Sequence, residues 1–158
     1  MQRNLELEKL RDRLLRAFPP NCFTGVVSSH DECEEGIALR RELLGRSWEQ
    51  ISSRFVLENS LSLALLEPDA LVAFLPAWLL CSAENFDGAS LLLEFTVYFL
   101  SPGSKEQGWD EARISKTVGL FDADQRTLVG DFLRTILDNP ELRGCHQYAL
   151  HGLEWWQA

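Results

Sequence analysis

The sequence predicts an all-α fold, a single-domain bundle of about six to eight helices around a central, proline-kinked, buried helix. Three observations carry this expectation. Apolar residues recur at three- and four-residue steps along most of the chain, and helix-start signals stand in front of several of these stripes. The stretch Leu65–Cys81, LLEPDALVAFLPAWLLC, is a nearly continuous apolar run holding two prolines, as expected of a helix covered on every side. Finally, 158 residues with 46% apolar content suffice for one buried core.

The first helix is marked by Leu7, Leu10, Leu14 and Phe18 between charged neighbours, and Pro19-Pro20 must stop it. Pro19 to Ser29 has no helical period and reads as a long connection, with a short extended piece over Cys22–Val27. A second helix follows: Asp31, Glu32, Glu34 and Glu35 crowd its start, Arg40, Arg41 and Arg46 its end, and Gly45 closes it, with both signs of charge placed as the macrodipole favours. Ser47 and Gln50 stand at capping-box spacing, so a third helix should begin at Trp48, bury Trp48, Ile51 and Phe55, and end at Asn59-Ser60.

Pro68 suits the first turn of the central helix, whose core stripe is Leu71, Phe74, Leu75, Trp78 and Leu79. Pro76 lacks the N–H that would bond Val72, which predicts the kink. Val72, Ala73, Ala77 and Leu80 make the other side apolar as well. Asn85 to Gly88 is a turn signal, and Ser90 to Leu100 is expected to be helical despite Thr96, Val97, Tyr98 and Phe99, because a lone strand would have no partner. After a polar loop over Ser101–Gly108, Trp109–Ser115 suits a short helix. Asp122 and Gln125 open the next, with Leu128, Val129, Phe132, Ile136 and Leu137 on one face. Asn139-Pro140 starts the last, with Leu142, Cys145, Ala149, Leu153 and Trp156 inward and Gly144 and Gly152 weakening it.

Charge narrows the functional classes. Fifteen basic against twenty-four acidic side chains give a net charge of −9, with the acidic excess in both halves. Such a surface repels phosphate, which argues against nucleic-acid binding and suits a basic protein partner through steering. The longest uncharged apolar segment, Ala70–Ala83, is shorter than the ~20 residues of a bilayer-spanning helix, so no membrane segment is expected. MQRNLELEKL has no apolar signal-peptide region, and the four scattered cysteines read as reduced thiols; both point to the cytoplasm.

Candidate chemistry is sparse. His30-Asp31 invites comparison with metal-dependent phosphohydrolases, but those need an earlier histidine and His30 is the first; Asp31 reads instead as a helix cap. No Glu-x-x-His stands at any of the three histidines, which excludes a bundle di-iron site. A zinc site could gather Cys22, His30 and Cys33 with Cys81, Cys145 or His146, although structural zinc normally brings two close-spaced ligand pairs. No Gly-x-Gly or Gly-Lys-Ser/Thr loop is present to cradle phosphate. His146 and His151 fall roughly 140° apart on a helix and cannot form a two-His face. Asp122 and Asp124 belong to a helix start. Trp156 fits the buried stripe, leaving the adjacent Trp155 as an exposed contact residue.

Four short motifs, Ala17-Phe18-Pro19-Pro20, Gly45-x-x-Trp48, Phe74-Leu75-Pro76-Ala77-Trp78-Leu79 and Phe121-x-x-x-Gln125-Arg126 leading into Phe132-Leu133, are similar to those of a family of small bacterial proteins of unknown function. Glu67-Pro68-Asp69 departs from the Ser-Pro-Glu-like helix start of that family. The resemblance implies an all-helical domain and supplies no activity.

Together these readings predict a non-enzymatic, acidic, cytoplasmic protein-interaction module without a cofactor, in the manner of an immunity or antitoxin-like neutraliser of a basic effector. Its expected contact residues are His30, Asp31, Glu32, Trp109 and Trp155, on the Pro19–Glu35 segment, on Ser101–Trp109 and at the C-terminal end. The alternative is an enzyme or zinc-binding protein with a site assembled from Cys22, His30, Cys33 and His146.

Overall fold

The computed structural model describes residues 1–86, 90–101 and 111–157, and every regular element among them is helical. The chain divides into two compact units, Met1–Glu84 and Asn85–Ala158. Residues 87–89, 102–110 and 158 lie outside the described residues, and with them Asp87 and Gly88 of the expected turn, most of the expected polar loop, and Trp109. No helix among the described residues is long and apolar enough to cross a membrane.

In the first unit, α1 (Gln2–Ala17) buries Leu14 and passes its last apolar side chain, Phe18, into the core before Pro19 ends it. The segment 19–33 follows without regular structure, and α2 (Glu34–Leu43) buries Gly36, Leu39 and Leu43. The expected third helix is divided in two. Gln50 Oε1 does accept the Ser47 N–H at 3.0 Å, but this box encloses only a 3-10 turn over Trp48–Gln50. Ser52 then acts as a second N-cap: its hydroxyl accepts the Phe55 N–H at 3.1 Å while its backbone is held extended, and α3 (Ser53–Glu58) starts afresh. The restart moves the inward position from Phe55, which is half-buried, to Val56, which is buried.

The long helix α4 (Pro68–Glu84) supplies the core of this unit. Its expected stripe, Leu71, Phe74, Leu75, Trp78 and Leu79, is buried throughout, as is Ala77 on the other side. Helix α1, α3 and the Trp48–Gln50 turn all pack on α4. The helix continues through Pro76, which is itself buried.

In the second unit, α5 (Leu91–Leu100) buries Leu92, Leu93, Thr96, Val97 and Leu100, a helical spacing that overrides the local β preference. Helix α6 (Glu111–Val118) buries Ile114 and Val118. The capping box of α7 (Ala123–Leu137) is complete: Asp122 Oδ1 accepts the Gln125 N–H at 2.8 Å and Gln125 Oε1 accepts the Asp122 N–H at 3.0 Å. Asn139-Pro140 opens a 3-10 turn, Pro140–Leu142, and α8 begins only at Arg143, running to Trp156. Helix α8 packs on both α7 and α5.

One expectation about α8 changes sign. Gly152, which by composition weakens the helix, is buried where a Cβ would lie 2.6 Å from Ser101 Oγ, 2.9 Å from Leu133 Cδ1 and 3.3 Å from the Leu100 carbonyl oxygen. The missing side chain lets α8 approach the end of α5, where the indole N–H of buried Trp156 donates to the Leu100 carbonyl at 2.7 Å. Phe121 meets the Trp156 ring edge-on at 5.3 Å.

Candidate functional site

The segment 19–33 is the longest described stretch without helix, and its shape is set by contacts far along the chain. Phe23 makes a reciprocal pair with the end of α2: its N–H donates to the Arg46 carbonyl at 3.0 Å, and the Gly45 N–H donates to its carbonyl at 2.7 Å. Gly45 sits at φ 79°, so a residue with a side chain would strain the turn that makes this pairing possible. The Phe23 ring packs edge-on against Phe74 of α4 at 5.6 Å. Further on, the Val27 carbonyl accepts the Glu67 N–H at 2.9 Å, and Val27 and Ser28 are both buried. The extended piece expected over Cys22–Val27 is therefore bracketed by two other segments, and no regular strand forms there.

Arg40 of α2 holds the next turn. Its Nη1 donates to the Ser28 and His30 carbonyls, each at 3.3 Å, and to Asp31 Oδ1 at 2.6 Å. Opposite it, Gly36 admits the backbone of His30: a Cβ at position 36 would overlap the His30 carbonyl oxygen and stand 2.9 Å from His30 Cβ. Arg40 and Gly36 thus fix the segment, and sequence reasoning assigned neither this role. The only signal for them was spacing along α2, which places residues 36 and 40 on one face.

The expected contact residues fall as follows. His30, Asp31 and Glu32 are exposed, as are Glu34 and Glu35 just beyond them. Asp31 does not cap α2. The cap is Cys33, whose Sγ accepts the Gly36 N–H at 3.3 Å, because Arg40 draws the Asp31 carboxylate away and the chain needs two more residues to reach helical geometry. Trp155 is half-buried rather than exposed, while Trp156 is buried as its stripe position requires. Val26, not singled out by the sequence, is 65% exposed.

Cys22 is exposed and Cys33 half-buried. Among the described residues, no three His, Cys, Asp or Glu side chains gather in a geometry that could hold a metal ion. His146 Nε2 lies 2.8 Å from the Asn139 carbonyl oxygen, tying α8 to the turn before it. Cys81 and Cys145 are buried, and burial is the main cause that raises both thiol pKa values, Cys81 to about 11 with a smaller contribution from Glu84. A thiol so held stays protonated at neutral pH and is a poor nucleophile.

Comparison of the chain with protein-family models, curated proteins and solved structures finds no match. The short motifs noted above therefore bring no residue role with them, and the functional reading rests on the chain's own surface.

Proposed function

We propose that this chain is a protein-interaction module that recognises a basic protein through segment 19–35, in the manner of a cytoplasmic neutraliser of a basic effector. The observation that supports it is the Arg40 clamp: the end of the segment without helix, with His30, Asp31 and Glu32 exposed, is tied to half-buried Arg40 through the Ser28 and His30 carbonyls and the Asp31 carboxylate, and exposed Glu34 and Glu35 follow in the first turn of α2. A preorganised surface loses less conformational freedom on docking, and functional residues concentrate on loops positioned by a rigid scaffold. Exposed Val26, earlier in the same segment, offers an apolar contact. The acidic excess of the whole chain would steer a basic partner toward it.

Charge reversal tests the reading. Native extract is passed over the wild-type protein and over a Glu32→Lys/Glu34→Lys/Glu35→Lys variant, and retained proteins are identified and then titrated in purified form. The expected partner is basic, binds the wild type more weakly as salt rises, and loses at least tenfold in affinity with the variant. A purified partner that binds both forms equally, or failure to recover any partner that binds in purified form, would overturn it.

A further inference from the structure

We draw no further inference here: the strongest candidate, the surface patch joining α5 and α8 where the half-buried rings of Tyr98 and Tyr148 meet edge-on at 5.4 Å, carries nothing because nothing in the structure shows what covers it.

Discussion

Two glycines of one helix make opposite predictions. In α8 both Gly144 and Gly152 should weaken the helix, and by propensity alone replacing either with alanine gains up to about 1 kcal/mol. At Gly144 nothing lies within 4 Å of the added Cβ and the residue is exposed, so Gly144→Ala should stabilise by about 0.5 kcal/mol, reduced from the full value because it stands in the first turn. At Gly152 the same methyl meets Ser101 Oγ at 2.6 Å and Leu133 Cδ1 at 2.9 Å, with the Leu100 carbonyl oxygen at 3.3 Å. Ser101 is fully buried and Leu100 contributes backbone, so neither can simply turn away. Overpacking of this kind costs about 1–3 kcal/mol, and shifting α8 outward also stretches the Trp156–Leu100 hydrogen bond, worth about 1 kcal/mol. Set against the propensity gain, Gly152→Ala should destabilise by about 1–2 kcal/mol, lowering the melting temperature by about 4 °C. Urea melts of the two variants followed by circular dichroism measure the difference. If Gly152→Ala matches or exceeds the wild type in stability, the close approach of α8 and α5 is not the reason for a glycine there.

Three further outcomes are expected. Gly36→Ala should expel the His30 backbone from α2, so that hydrogen exchange at His30 quickens and the unit loses about 2 kcal/mol; unchanged exchange would contradict the contact. For the buried thiols the sign is set by the unfolded chain: below pH 9.0 Cys81 is protonated in both states, whereas between 9.0 and about 11 only the unfolded chain releases the proton. Stability should therefore fall as pH rises through that window, by at most about 1.4 kcal/mol per pH unit from this thiol, and Cys81→Ala should flatten the slope; an identical slope in the variant would refute it. Asp122→Ala should remove the α7 cap and cost about 1 kcal/mol in chemical denaturation, and a change below about 0.3 kcal/mol would show the capping box to be idle.

The all-helical fold was legible because its signals are local. The α4 stripe, the Ser90–Leu100 helix, the Asp122–Gln125 box and the stop at Pro19 each need only neighbours a few residues apart, and all appear where the spacing puts them. What sequence reasoning missed depends on choices between equivalent local signals or on distant contacts. Ser47 and Ser52 are both good caps, and only the packing of Trp48 and Val56 on α4 decides that the chain uses both and breaks the helix between them. Asp31 looks like the natural cap of α2, but it is claimed by an arginine nine residues on. Gly152 carries no mark that separates it from Gly144, since the atoms it makes room for come from α5 and α7.

The same distinction governs the candidate surface. The residues proposed to meet a partner, His30 to Glu35, were visible as a run of charge, because charge is a property of single positions. The residues that would make such a run useful were not. A charged segment free to move would spend much of its electrostatic gain on its own ordering, and exposed charges of this kind individually contribute little. Arg40 changes that balance by engaging two backbone carbonyls and one carboxylate from a single guanidinium nitrogen, while Gly36 supplies the space into which the His30 backbone is drawn. Neither residue need touch a partner. Both would nevertheless bear on its affinity, because they fix the His30 backbone and the Asp31 carboxylate from which the run of acids continues.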